Sequence, residues 1–236
     1  MVDIIRINKF FTEHGICSRR EADRLIEAGR VTINDVVAKL GDQVTPADVI
    51  ARDGQVIPWG QARIYLKYHK PVGVTTTSEA HVPRNIIQEI GHPERIFPIG
   101  RLDKDSSGLI LLTNDGDIVN DILRTEFGHE REYEVVLDRP YDQSVLDRLA
   151  AGVVILGRKT KPCRIERLGP KRFRIVLTEG RNRQIRRMSQ AVGYRVVALH
   201  RVRIMHITLA GLAAGSWKPL TPREREELLK ALGRTS

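Results

Sequence analysis

The sequence predicts an α+β fold in two parts, a small helix-helix-hairpin module followed by a larger domain built on a mixed, mainly antiparallel sheet. Three observations lead there. Apolar residues recur at helical spacing before residue 30 and mostly in short strand-like runs after it. The charge balance changes near residue 60, and Pro58-Trp59-Gly60-Gln61 separates the two regimes as a linker. The expected domains are therefore 1–60 and 61–236.

In the first part, residues 7–14 and 18–28 read as helices, with Ile7, Phe10 and Phe11 and then Ala22, Leu25 and Ile26 on their apolar faces. Ser18 with Glu21 three residues later has the form of a capping box, and Gly29 supplies a left-handed stop. Val31-Thr32-Ile33 and Val36-Val37-Ala38 flank the turn pair Asn34-Asp35, and Val44, Val49-Ile50 and Gln55-Val56-Ile57 read as further short strands. Beyond the linker, strands are expected at 64–68, 109–113, 132–137, 164–168, 173–177, 195–199 and 204–209. Helices are expected at 117–124, 143–150, 182–191 and 223–232. Hairpin-length links with a few inserted helices favour a largely antiparallel sheet over a doubly wound one.

The 236 residues are 41% hydrophobic and 29% charged, which supports a packed core and excludes an intrinsically disordered or collagen-like chain. Apolar runs such as 109–112 fall far short of the ~20 residues a bilayer span needs, and Asp3, Arg6 and Lys9 interrupt the N-terminus. Neither a signal peptide nor a membrane span is expected. Cys17 and Cys163 stand apart without a Cys/His cluster, so neither a disulfide framework nor a zinc site is encoded, and a cytoplasmic location fits best. His129 and His200 are likewise isolated, and no metal is expected.

The formal net charge is +10, with a pI near 9.9. Residues 1–60 hold 8 Lys+Arg and 9 Asp+Glu, so the excess belongs to the C-terminal part. There, residues 181–203 contain seven arginines and no Asp, Glu or Lys. A merely solvated surface mixes signs, whereas unpaired guanidinium groups suit phosphate contacts and release counterions from a nucleic acid. A membrane surface fits less well, because no amphipathic helix with a large aromatic face accompanies them. A DNA reader fits poorly too, since no recognition helix with a dimerisation seam is evident. In the first part, Arg6, Lys9, Arg19, Arg20 and Arg24 give a near-neutral module one basic face, or are solvated charges paired with Glu21, Asp23 and Glu27; spacing alone leaves both open.

The most informative stretch, residues 97–116, sets the charged turn Arg101-Leu102-Asp103-Lys104-Asp105 between two apolar strand-like runs. Asp103, Asp105, Ser107 and Gly108 coincide with positions of a calcium loop, but Asn114 stands where that loop needs a bidentate Glu, and flanking helices are missing. An aspartyl-phosphate site is disfavoured by Arg-Leu directly before the first Asp. As a plain turn, Asp103 or Asp105 would cap backbone amides, a reading favoured for Asp105 beside Ser106 and Ser107.

Gly100 to Gly116, read as Gly-Arg-Leu-Asp-x-Asp-Ser-x-Gly-Leu-x-Leu-Leu-Thr-Asn-x-Gly, closely resembles the central motif of the RsuA family of ribosomal-RNA pseudouridine synthases. Lys70-Pro71-Val72-Gly73 resembles the family's entry strand, Glu132-Tyr133 its tyrosine motif, and Glu179 to Met188 its arginine motif. The first 60 residues, with Gly15-Ile16-Cys17-Ser18-Arg19-Arg20-Glu21-Ala22-Asp23, resemble the S-four RNA-binding fold found at the front of these enzymes. The Gly15–Arg20, Asn182–Met188 and Arg201–Met205 segments are most similar to the RluF branch, which acts on large-subunit rRNA.

The resemblance implies isomerisation of a uridine within RNA, without a cofactor: the glycosidic bond breaks, the uracil turns, and a carbon–carbon bond forms through its carbon 5. Asp103 would be the catalytic carboxylate, attacking the anomeric carbon or carbon 6, or removing a sugar proton to give a glycal. Arg186 would be its counter-ion, a nearby cation favouring the ionised acid. Tyr133 would offer the base an aromatic face and a phenol near the carbon 5 proton; without the resemblance, a tyrosine packed on a sheet is the preferred reading of that position. Arg101 would contact phosphate or fill the gap left by a base taken out of the stack. Arg181, Arg183 and Arg187 would position the phosphate backbone, and Leu102, Val135 and Ile185 would only pack the site. A non-catalytic RNA-binding or ribosome-associated protein is the alternative, which has no need of Asp103, Tyr133 and Arg186 together. No long basic tail follows the last helix, which implies less nonspecific RNA affinity than some relatives have, and the lack of coiled-coil heptads suggests a monomer.

Overall fold

The computed structural model describes residues 4–60, 62–79 and 81–234; Asp3, Gln61 and Ser236 lie outside the described residues. Two compact units emerge. One runs to Ile64 and takes in His92–Ile96 and Thr113–Gly116; the other comprises Tyr65–Gly91, Phe97–Leu112 and the chain from Asp117.

The first unit contains β1 (Ile5–Arg6), α1 (Ile7–Glu13), α2 (Arg19–Glu27), β2 (Val31–Ile33), β3 (Val36–Val37), β4 (Gln43–Val44), β5 (Ile50–Arg52) and β6 (Gln55–Ile57). Its core brings the expected apolar faces, Ile7, Phe10 and Phe11 with Ala22, Leu25 and Ile26, together with Val31, Val44 and Ile50. Ser18 Oγ accepts from the Glu21 amide at 3.2 Å, but the Glu21 carboxylate turns to Arg24 at 3.1 Å, so only half of the capping box closes. Asn34 and Asp35 both take positive φ, 49° and 65°, as a tight hairpin turn between β2 and β3 demands.

The second unit continues with β7 (Tyr65–Lys70), α3 (Ile86–Ile90), β8 (Phe97–Ile99), β9 (Ser107–Thr113), α4 (Gly116–Leu123), β10 (Arg131–Leu137), α5 (Gln143–Ala150), β11 (Val154–Ile155), β12 (Arg158–Lys159), β13 (Arg164–Arg167), β14 (Arg172–Leu177), α6 (Gln184–Ala191), β15 (Val196–Ile204), β16 (Ile207–Thr208), β17 (Trp217–Pro219) and α7 (Pro222–Ala231). The sheet runs β13-β14-β10-β15-β9-β7-β17, with β8 beside β9 and β16 beside β15. β10 is antiparallel to both neighbours, while β15 meets β9 parallel, His200 opposite Ser107 and Arg201 opposite Gly108. The sheet is thus mixed and mostly antiparallel, as expected. Leu109, Ile110, Leu111 and Leu112 are all at most 1% exposed. β9 is therefore covered on both faces, which explains its continuous apolar run, and each such side chain contributes about 1.5–3 kcal/mol of burial.

Two apolar clusters flank the middle of this sheet. One joins Val135, Phe173 and Ile175 to α5 and α6 residues Leu146, Leu149, Ile185 and Met188; the other joins Leu109, Leu111 and Ile204 to Ile118, Ile122 and Leu228. The strands expected at 195–199 and 204–209 differ in detail: Val196–Ile204 is one continuous strand, because its arginines bond along the sheet and do not break it. No helix among the described residues is long and apolar enough to cross a membrane.

Candidate active site

The loop between β8 and β9 is pinned from several sides. Leu102 exchanges bonds with Thr76 Oγ1, which donates to its carbonyl at 2.8 Å and accepts from its amide at 3.3 Å. The Gly73 amide donates to Lys104 O at 2.7 Å, and Lys70 Nζ donates to Ser106 O at 2.8 Å. The Lys70-Pro71-Val72-Gly73 segment therefore supports the loop that carries Asp103. Lys70 has no exposed surface, and burial lowers its ammonium from the ordinary lysine range to about 8, against the opposing pull of Asp103 and Asp105. Gly108, with φ of 115°, closes the other side: a Cβ there would lie 2.2 Å from Arg201 O and 2.4 Å from Arg201 N, so only glycine lets β15 come this close.

Asp103 faces two guanidinium groups, Arg183 Nη1 at 3.2 Å from Oδ2 and Arg186 Nε at 3.9 Å. Arg183, expected to hold phosphate, is thus the nearer partner. Arg186 sits lower, with Nη1 donating to Val196 O at 3.1 Å and Nη2 to Asp105 O at 3.0 Å and Ser106 Oγ at 3.2 Å. Asp105, expected to cap backbone amides, instead gives its carboxylate to Arg183 and Arg186, each at 3.2 Å. Burial pushes the Asp105 carboxyl up, but the Arg183 hydrogen bond and both arginine charges outweigh it and hold the acid below its ordinary range.

Asp103 and Tyr133 line one cavity of about 560 Å³, whose walls include Arg101, Arg131, Arg183 and Arg201. Tyr133 lies on β10 opposite Arg201, just past a register shift after Glu132, and the Arg201 Cζ is 6.0 Å from its ring centre. Leu102, Val135 and Ile185 are buried, as expected of packing residues. Arg101 is exposed on the cavity rim and makes no ion pair among the described residues. A second cavity, of about 680 Å³, shares Gly180 and Arg181 with the first as lining residues.

The other expected RNA contacts divide. Arg181 is committed inward, donating to Arg158 O at 2.9 Å and Lys159 O at 2.8 Å, and pairing with Glu179 at 3.1 Å. Arg187 bonds to Asn182 O and Oδ1 at 3.0 and 3.1 Å. In the first unit, Lys9 pairs with Glu13 and Arg24 with Glu21, whereas Arg6, Arg19 and Arg20 are exposed and make no ion pair among the described residues. His200 bonds Ser107 Oγ through Nδ1 at 2.9 Å, and no group of His, Cys, Asp and Glu among the described residues is arranged to hold a metal ion. Sequence reasoning missed Lys70, Arg131 and Arg201 as parts of the site. Lys70 and Arg201 appeared only as members of motifs assigned to other purposes, and Arg131 carried no signal at all.

The family model described as RNA pseudouridylate synthase matches residues 64–191, more than half of the chain. The chain belongs to the RNA pseudouridylate synthase family. It is an isomerase acting on RNA, and residues 5–50 match the S4 domain. The dual-specificity RNA pseudouridine synthase RluF of Escherichia coli K12 is 47% identical over 234 residues, covering 98% of this chain and 81% of that protein. Ribosomal large subunit pseudouridine synthase B of Bacillus subtilis is 34% identical, with 94% and 95% covered. A crystal structure of a pseudouridylate synthase superposes with a TM-score of 0.70 at 31% identity, covering 95% of this synthase and 99% of that chain.

Proposed function

We propose that this synthase converts a specific uridine of ribosomal RNA to pseudouridine, with large-subunit (23S) rRNA as its substrate and Asp103 as the catalytic aspartate. One observation carries the reading: Asp103 and Tyr133 line the same cavity while Arg183 and Arg186 stand 3.2 and 3.9 Å from the Asp103 carboxylate. A carboxylate so paired is available as a nucleophile or base, and the tyrosine ring offers the freed uracil a face on which to turn. Arg186 orients the loop as well as the charge. Arg101, free on the rim, contacts the RNA around the extracted nucleotide. The preference for large-subunit RNA is supported by the name of the B. subtilis relative, a ribosomal large subunit pseudouridine synthase. We further propose a monomeric cytoplasmic enzyme divided at residues 60 and 61, in which Arg6, Arg19, Arg20, Lys9 and Arg24 of the first domain and Arg183 and Arg187 of the second serve RNA binding, while Arg181 braces the fold behind them.

The test is tritium release from large-subunit rRNA fragments labelled at uridine carbon 5, since forming the new bond expels that hydrogen. Wild type is expected to release label, and Asp103→Asn to release none while binding RNA within about threefold of wild type. Binding without release by either protein, on free rRNA and on immature subunits, refutes the catalytic assignment in favour of a pure RNA binder.

A further inference from the structure

We propose that Arg201 is a further catalytic residue, donating a hydrogen bond from Nη2 to a carbonyl oxygen of the target uracil and stabilising the negative charge that develops there. The inference rests on the uridine-isomerising reading above. Arg201 is 3% exposed, its Nε is tied to Leu109 O at 2.6 Å, and its buried Nη2 has no hydrogen-bond partner among the described residues. It also makes no ion pair there, in contrast to Arg203 two residues on, which pairs with Glu130 at 3.0 Å and Glu132 at 2.7 Å. A buried guanidinium with a vacant donor and no carboxylate is costly, which marks a group kept for something other than stability. Arg201 is one of the residues lining the cavity that holds Asp103 and Tyr133, with its Cζ 6.0 Å from the tyrosine ring centre. Close packing of Gly108 on the Arg201 backbone fixes the strand beside the Asp103 loop.

The chemistry needs a cation at this place. The C1′–N1 bond breaks with its electron pair leaving on the base, C1′–C5 forms, the carbon 5 proton is lost, and N1 takes up a proton. Whether Asp103 attacks C1′, adds at C6 or removes a sugar proton, negative charge accumulates on the uracil carbonyl oxygens. A fixed donor aimed at that charge lowers the barrier, and losing one such donor typically slows turnover by about 100- to 1000-fold.

The same guanidinium could instead hold the phosphate of the target nucleotide, so the experiment separates base from phosphate. Single-turnover rates and RNA Kd would be measured for wild type, Arg201→Gln and Arg201→Lys on RNA carrying uridine or 5-fluorouridine at the target, following consumption of the target nucleoside by chromatographic separation after digestion, because substrate and isomer have the same mass. Arg201→Gln is expected to lose about 100-fold in rate on uridine RNA with Kd within about threefold. The loss should shrink by at least about tenfold on 5-fluorouridine, whose base is the more stable anion, and Arg201→Lys should recover part of the rate. If Arg201→Gln fails to fold, Arg201→Lys carries the same comparison, because it moves the donor while keeping the charge. Wild-type rates in both variants, an equal loss on both substrates, or a loss confined to Kd overturns the proposal. Failure of wild type itself to consume uridine overturns the isomerase reading first.

Discussion

Asp103 is held by two arginines that see very different amounts of water. Arg183 is 41% exposed at the side chain and Arg186 only 13%. An exposed pair contributes about 0–1 kcal/mol, whereas removing Arg186 leaves the Asp105 and Val196 carbonyls and the Asp105 carboxylate without a buried donor. Arg186→Gln is therefore expected to cost about 2–4 kcal/mol in denaturant unfolding and Arg183→Gln less than about 1, even where both slow turnover. Lys70 makes a different demand. Its folded pKa near 8 lies below the ordinary 10.5, so the unfolded chain binds more protons between those values and this residue's contribution to stability rises with pH across that window. Relative to Lys70→Met, wild type should gain up to about 3 kcal/mol between pH 8 and pH 10.5, read from paired denaturant melts. A flat difference would show that the ammonium is not disfavoured. Residue types told only part of this: Asp103, Tyr133 and Arg186 stood out through motif resemblance, but a buried Lys70 or Arg201 looks in a sequence like any solvated base.

At the scale of elements, the arginine motif builds a brace. Glu179 Oε1 accepts from the Lys161 amide at 3.0 Å and from Gln184 Nε2 at 2.8 Å, its other oxygen takes Arg181, and Arg181 holds the carbonyls of β12. The start of α6 and the β11–β12 hairpin are thereby tied through one buried carboxylate. Arg181→Met should leave the sheet intact yet speed amide exchange across residues 154–160 by about 10- to 100-fold, corresponding to roughly 1.5–3 kcal/mol of lost local stability. Unchanged protection there would remove Arg181 from this role. The hairpin was not legible beforehand, because two-residue strands around Leu156, itself at φ of 51°, carry no periodic signal. The helix expected from residue 182 begins at Gln184 because Arg183 adopts φ of 50°, a left-handed turn that propensity does not announce. Periodic segments such as 143–150 are legible to the residue, since burial of Val145, Leu146 and Leu149 sets both the pattern and the helix.

For the whole molecule, charge is divided unevenly, with a net of −1 in residues 1–60 and +11 beyond. The near-neutral first part still holds Arg6, Arg19 and Arg20 exposed and without ion pairs among the described residues. If they contact phosphate, replacing each with Gln should lower the slope of log affinity against log salt by about 0.7–0.9, while single-turnover chemistry at saturating enzyme stays near wild type. An unaltered slope would assign them to solvation alone. The two-part organisation was legible because composition and hydrophobic period change together near residue 60; the pairing of distant strands was not, since nothing local in residues 107–108 names residues 200–201 as their neighbours. That parallel pairing also sets a schedule. Ser107 must wait for His200, 93 residues later in the chain, and Asp103 emerges from the ribosome well before Arg183 and Arg186 exist to hold it. During its own synthesis, surrounded by ribosomal RNA, the enzyme is thus born unarmed, and chains arrested before residue 196 should bind RNA through the first domain without altering a single uridine.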